Sequence, residues 1–303
     1  MRPSAPVTPG LVVVDKPAGI TSHDVVSRVR RLAGTRKVGH AGTLDPMATG
    51  VLVLGVDRAT RLLGHLMLTE KAYDATVRLG VATGTDDAEG ETLSAAGAAG
   101  VEGRAVREVL AGFVGDIEQV PTAVSAIKVD GRRAYQRVRD GEQVELEARP
   151  VTIHELVVHQ VRPATAADAA GEPVEVLDVD ISMRCSSGTY VRAVARDAGA
   201  ALGTGGHLTA LRRTAVGPYD LDVARTLEDL ADDFAVLPLA TAARAAFASL
   251  DLDEQQARDV RVGRPIDVPL EEMTGVFDPD GEFLALYEPR EGRARPVAVF
   301  VQG

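Results

Sequence analysis

The sequence predicts an α+β sheet protein with a small β domain at its C-terminal end. Three observations carry this. Residues 176–184 alternate between apolar and polar side chains, apolar residues recur at helical spacing after Thr21, and Asp278-Pro279-Asp280-Gly281 is a hairpin signal. Alternation gives a strand one buried and one wet face, a 3.6-residue recurrence does the same for a helix, and Pro-Asp-Gly chemistry makes a tight turn.

In chain order, Leu11 to Val14 reads as a short buried strand. Thr21 to Asp24 resembles a capping box, and Val25, Val26, Val29 and Leu32 continue a helix up to Gly34. Val51 to Val56 and Ala72 to Leu79 are strands, and Val106, Val109, Leu110 and Phe113 have helical spacing. In the alternating strand, Val179, Ile181 and Met183 face the core, while Asp178, Asp180 and Ser182 face water. Tyr190 to Leu202 is a helix with Val191, Val194 and Ala198 on one face. Ala95 to Gly103 and Arg162 to Pro173 read as surface loops. Beyond Asp229 the Ala-rich stretch Leu239 to Leu250 reads as a connector, and Asp253 caps a short helix ending near Gly263. Strands at Val276-Phe277, Phe283 to Tyr287 and Val297 to Val301 complete a unit of roughly sixty residues, near the lower size limit for a self-sufficient core. It is expected to pack on the main domain. The expected division is therefore 1–240 and 241–303.

At 303 residues and 45% apolar, the chain has ample material for a buried core. Trp is absent and aromatics are 4%, so a stacking surface must come from a few Tyr, Phe or His residues. The lone Cys185 cannot form an internal disulfide, which fits a reducing cytoplasm. Residues Met1 to Gly10 lack the apolar stretch of a signal peptide, and apolar runs are too short to cross a bilayer; a soluble, cytoplasmic protein without a membrane partner is expected. The net charge of −11 disfavours a simple polyanion binder, but local patches matter more than the total. Arg28, Arg30, Arg31, Arg36 and Lys37 form one basic cluster, Lys128, Arg132, Arg133, Arg137 and Arg139 a second, and Arg212 with Arg213 a third. Each alone fits a solvated face; their joint placement around special loops fits RNA.

The most informative segment is Gly39-His40-Ala41-Gly42-Thr43-Leu44-Asp45-Pro46-Met47-Ala48-Thr49-Gly50. It sets one carboxylate among glycines just before an apolar strand. Pro46 disfavours helical geometry at Asp45, and glycines permit turns that other residues make only with strain. The same Asp-Pro pair also fits a helix start, with Asp as N-cap and Pro in the first turn. Gly34 and Gly39 have phosphate-loop spacing, but His40 and Ala41 stand where Lys and Ser or Thr are needed.

Other chemistry has weaker support. His154-Glu155 and His159 miss the H-E-x-x-H zinc spacing by one residue and lie in a strand-like run. Thr85 to Gly90 lacks the alternating ligands of a calcium loop, and Gly203, Gly205 and Gly206 do not complete a dinucleotide fingerprint. Cys185 reads as a buried structural thiol. No metal and no cofactor is implied.

Taken together, five ordered blocks resemble the bacterial TruB family of tRNA pseudouridine synthases. They are Asp15-Lys16-Pro17-Ala18-Gly19 with Thr21-Ser22; Gly39 to Gly50; Lys71-Ala72-Tyr73 leading to Leu79-Gly80, Thr83, Thr85, Asp87 and Gly90; Ser125 to Lys128 with Gly131-Arg132, Ala134-Tyr135 and Arg139; and Ser187 to Arg192 with Gly206-His207 through Leu211-Arg212-Arg213. They span about residues 11–220. Pro121-Thr122-Ala123-Val124 departs from the paired prolines and aromatic usual before the fourth block, and the tail after residue 240 matches least.

The resemblance implies a pseudouridine synthase fold with a central mixed, mainly antiparallel sheet flanked by helices and loops, plus a small β-rich PUA-like RNA-binding domain. It implies isomerisation of the T-loop uridine of tRNA, position 55, with the T-arm as partner and a monomeric protein. It makes Asp45 the catalytic carboxylate, either attacking the sugar carbon or taking a proton from it. Arg192 would pair with Asp45, and Tyr73 would sit against the base and help remove the C5 proton. His40 would fill the stack vacated by the everted base, with Tyr190 and Leu211 lining the pocket. On their own, Arg192 fits a helix-surface Arg, Tyr73 a packing residue and Leu211 the core. Two other functions remain open: an RNA-binding tRNA folding chaperone with secondary activity, and a carboxylate glycosidase with Asp87 as the opposing acid.

Overall fold

The computed structural model describes residues 7–122, 128–129, 132–133 and 146–301. Ala123 to Ile127, Gly131, Ala134, Tyr135, Arg137 and Arg139, named above, lie outside the described residues. The chain forms two compact units. The first comprises residues 1–46, 50–68 and 215–303, and the second 47–49 and 69–214.

The first unit opens with β1 (Gly10–Lys16), α1 (Ser22–Leu32), β2 (Val38–His40), β3 (Thr49–Val56) and α2 (Leu63–Leu66). α1 starts where expected: Thr21 accepts from the Asp24 amide and Asp24 accepts from the Thr21 amide. Antiparallel pairing joins β1 to β3 and β2 to β3.

The second unit contains β4 (Lys71–Leu79), β5 (Ala82–Thr83), β6 (Thr92–Ser94), α3 (Gly103–Ala111), β7 (Gly115–Gln119), β8 (Lys128–Val129), β9 (Arg132–Arg133), β10 (Arg149–Ala167), β11 (Pro173–Cys185), α4 (Val191–Ala201) and most of β12 (Gly206–Val216). β12, β4, β11, β10 and β7 are neighbours in that order. The surface loop expected at Arg162 to Pro173 is instead the far end of the β10–β11 hairpin. Its ladder runs to Ala167↔Pro173, because alanines pair through backbone as well as any residue, and only 168–172 turn, with Asp168 accepting from the Ala170 and Glu172 amides. The expected wet face of β11 holds for Asp180 and Ser182 but not for Asp178. Asp178 is buried beneath Arg78, which donates to both its carboxylate oxygens at 2.8 and 2.9 Å. α4 packs against β4, and its Val191, Val194 and Ala198 are buried.

The first unit resumes with β13 (Tyr219–Asp220), α5 (Leu227–Asp232), β14 (Leu237–Pro238), α6 (Leu239–Ala246), β15 (Ala248–Asp251), α7 (Glu254–Arg261), β16 (Thr274–Phe277), β17 (Phe283–Arg290) and β18 (Arg293–Val299). The expected Ala-rich connector is helix α6. Ala242 and Ala243 are fully buried, and small side chains let the helix approach the core closely. β15 to β18 form the expected C-terminal β element, in which β15–β16 is parallel and the other pairs antiparallel. Among the described residues no helix is long and apolar enough to cross a membrane.

One helix contact carries a test. Gly199 lies inside α4, where Gly→Ala ordinarily gains roughly 0.5–1 kcal/mol. A Cβ there would sit 2.2 Å from the Gly205 carbonyl carbon and the Gly206 nitrogen. Backbone cannot yield as a side-chain tip can, so Gly199→Ala should destabilise by about 1–3 kcal/mol, the scale of overpacking. Denaturant midpoints would check the reversed sign.

Candidate active site

The Asp45 loop is held from beneath. Lys16, at the end of β1, is fully buried, and its ammonium donates to the carbonyls of Pro17, Ile20 and Pro46 at 2.9, 2.8 and 3.2 Å. The Gly19 amide also donates to Pro46 O, at 2.9 Å. On the other side of Asp45, the Ser22 hydroxyl accepts from the Leu44 amide at 2.9 Å and donates to the Leu44 carbonyl at 3.0 Å. Both neighbours of the acid are therefore fixed to the turn before α1 and to its first residue. No helix follows Pro46, which removes the N-cap alternative. Gly42 (φ 93°) and Gly50 (φ 98°) take the left-handed conformations the loop requires, whereas Gly39 is ordinary strand. Asp45 itself is half-buried. His40 ends β2 opposite Leu54 and is also half-buried.

The remaining candidates lie in the second unit. Arg192, in the first turn of α4, is 4% exposed, which excludes a helix-surface role. Its guanidinium donates to Thr85 O at 2.7 Å and lies 3.4 Å from an Asp87 carboxylate oxygen. Asp87 is buried in turn and accepts from the Thr85 hydroxyl at 2.5 Å and the Glu89 amide at 3.1 Å. A carboxylate so committed is not the opposing acid of a glycosidase. One turn along, Arg196 lies 3.4 Å from Asp86 and donates to Val120 O at 2.8 Å. Burial raises the Asp86 carboxyl above its ordinary value, and Arg196 and Arg192 work against that rise.

Tyr190 is the residue before α4, and the Gln119 side chain clamps both its backbone groups. The Tyr190 amide donates to Oε1 at 2.8 Å, and Nε2 donates to the Tyr190 carbonyl at 3.1 Å. Tyr190 and Tyr73 are half-buried, and Tyr73 stands opposite Met183 in the β4–β11 register. Leu211, 7% exposed, lines an open groove of about 540 Å³ with Met47, Thr49, Thr76, Asp180 and Arg212. Lys71, two residues before Tyr73, is buried, which lowers its ammonium to about 8 with help from nearby Arg213.

The candidates thus fall into two sets, Asp45 and His40 in the first unit and Tyr73, Tyr190, Arg192 and Leu211 in the second. Sequence reasoning did not foresee Lys16, Ser22, Gln119 or Asp87 in these holding roles. Asp87 carried a signal, since Thr83, Thr85 and Asp87 stand at alternate positions and all three side chains close on one turn. Gln119, one of several polar residues in its strand, carried none. His154 and His159 lie in β10 as expected, against Glu70 and Ser182 respectively. Cys185 is buried, and its thiol is pushed up to about 11 by burial. Among the described residues no three His, Cys, Asp or Glu side chains are arranged to hold a metal.

Residues 30–191 match the domain family described as TruB family pseudouridylate synthase (N terminal domain). Residues 192–244 match the tRNA pseudouridylate synthase B C-terminal domain, and residues 247–301 the tRNA pseudouridine synthase II C-terminal domain. The chain is 57% identical over 301 residues to the tRNA pseudouridine synthase B of Arthrobacter sp. (strain FB24), covering 96% of each protein. It is also 57% identical over 292 residues to that of Thermobifida fusca (strain YX), covering 96% of this chain and 98% of the relative. The crystal structure of a Cbf5-Nop10-Gar1 complex has a similar fold, with TM-score 0.73 at 23% identity over 97% of this chain and 85% of that one.

Asp87→Asn keeps the shape and the acceptor for Thr85 while removing a carboxylate charge beside a buried guanidinium. Losing one partner of a buried pair costs about 3–5 kcal/mol. Urea unfolding of Asp87→Asn should show a loss of that order.

Proposed function

The chain belongs to the TruB family of pseudouridylate synthases, and from that premise we propose that it converts the T-loop uridine at position 55 of tRNA to pseudouridine, with Asp45 as the catalytic carboxylate. The observation that carries this reading is the Asp45 loop itself. Its backbone is pinned on both sides by Lys16 and Ser22, while the acid keeps partial access to solvent. An acid prepared for a ligand has this combination of fixed backbone and partly accessible side chain.

The reaction breaks the C1′–N1 bond, turns the detached uracil, and joins C5 to the same sugar carbon. N1 gains a proton and C5 loses one, so the product is an isomer and no redox partner enters the balance. Asp45 acts at the sugar, either by attacking C1′ or by taking a proton from it. Arg192 pairs with Asp45 and favours its ionised form, since a nearby cation stabilises a carboxylate. Asp87 and Thr85 O hold that guanidinium in one orientation. Tyr73 lies against the base and serves the removal of the C5 proton, and Tyr190 and Leu211 line the pocket.

The target uridine is buried in folded tRNA and must be everted, as for other enzymes that act on a base. His40 fills the vacated stack. Arg28, Arg31 and Arg36 are exposed on and after α1 and suit phosphates of the T-arm. Residues 241–303 act as a PUA-like RNA-binding domain, and the active form is a cytoplasmic monomer.

Asp45→Asn, nearly isosteric, should abolish tritium release from C5-labelled tRNA while leaving tRNA binding largely intact; turnover retained in that variant would reject the assignment. The tail has a separate readout. Arg290 and Arg293 are exposed across the β17–β18 turn. Replacing both by Ala should weaken tRNA affinity and flatten its salt dependence by up to about two phosphate contacts, with turnover at saturating tRNA unchanged.

A further inference from the structure

His23 has no part in the chemistry above. It lies in the first turn of α1 with an exposed side chain, so core packing does not account for an aromatic ring there. That ring instead meets His40. The two imidazole centroids are 5.9 Å apart with planes at 79°, the edge-to-face arrangement that aromatic quadrupoles favour.

The contact joins two fixed pieces of backbone. Ser22, immediately before His23, exchanges two hydrogen bonds with Leu44. The Arg30 guanidinium of the same helix donates to the carbonyl of Val38, two residues before His40, at 3.1 Å. His40 is paired to Leu54, and the next residue, Ala41, donates its amide to Val53 O at 2.8 Å. With helix and strand locked together, the fold holds the two residues that carry the rings within reach of each other.

Resting on the role given to His40 above, we propose that His23 is a positioning residue that braces the His40 imidazole in the orientation in which it enters the RNA stack. A ring that must slide flat into a gap left by a base loses side-chain freedom on binding, and a partner that fixes it beforehand lowers that cost. The bracing is a ring-edge contact, so another aromatic ring of similar size at position 23 should supply it.

The test uses the full-length protein and a T-arm stem-loop RNA, with kcat/KM measured for His23→Ala, His23→Phe, His40→Ala and the His23→Ala/His40→Ala double variant. Expected is a loss of about fivefold in His23→Ala, the fold-change an edge-to-face contact of ordinary strength corresponds to. His23→Phe should recover most of it, and His23→Ala should cause no further loss once His40 is Ala. Thermal midpoints should stay together, because position 23 is exposed and the Thr21–Asp24 box is untouched. Normal kcat/KM in His23→Ala beside an impaired His40→Ala overturns the bracing role and leaves the reading of His40 standing. A loss that Phe does not restore and that persists in the double variant makes His23 an independent RNA contact, and also overturns it. Normal turnover in His40→Ala removes the role of His40 first and the bracing role with it.

Discussion

The Pro46 side of the Asp45 loop depends on one buried ammonium. Lys16 lies at the end of β1 with no exposed surface, a placement that costs several kcal/mol unless the charge finds oxygen partners. Three carbonyls meet it, two from the turn leading into α1 and one from Pro46. An ammonium has three N–H donors in nearly tetrahedral array, so it can tie together three carbonyls that share no regular secondary structure. Pro46 O also accepts from Gly19, which occupies both its lone pairs. The residue following Asp45 is thus fixed by groups that themselves belong to a fixed turn.

The same unit shows why its C-terminal part is not a free-standing module. Phe277, Phe283, Leu286 and Phe300 share one buried cluster with Leu11, Val13, Val51 and Val53. Phe283 stacks between Phe277 and Phe300, with centroids 5.4 and 4.8 Å away, and Arg244 lies 3.8 Å over the Phe277 ring. Arg58 and Arg61 add hydrogen bonds to Phe300 O and Val299 O. A second cluster around Tyr287, Val260 and Leu284 belongs to the tail alone. About sixty residues cannot bury enough apolar surface for comfortable stability, and the shared phenylalanines supply what the smaller cluster lacks.

Local signals in the sequence were read correctly, because they depend on residues within four positions of each other. The capping box at Thr21, the helix cap at Asp253 and the turn at 278–281 are of this kind. The errors lie where a distant partner decides. Asp178 alternates like a wet residue, yet Arg78, a hundred positions away, closes over it. Leu239 to Ala246 marks its wet face only by Thr241 and Arg244, and its alanines are buried by packing the sequence does not display. Asp45 was legible through its glycines and proline. The lysine and serine that hold it were visible only as members of a motif, since their partners are backbone carbonyls and an amide, which no side-chain pattern records.

The acidic turn at residues 85–90 shows how backbone conformation assigns two adjacent carboxylates to different partners. Asp86 takes φ 59°, a left-handed conformation that Asp tolerates better than most residues. Its carbonyl accepts from Leu208 at the start of β12, and its carboxylate goes to Arg196. Asp87, next in sequence, goes to Arg192 one helical turn earlier. In an extended segment the two side chains would point to opposite faces, and in a helix they would diverge by about 100°. The left-handed residue instead aims both at a single face of α4, where arginines four apart lie one above the other. Moving either aspartate by one position would break its contact with the arginine it faces. The spacing Asp-Asp against Arg-x-x-x-Arg therefore ties the first two turns of α4 to the acidic turn at two points.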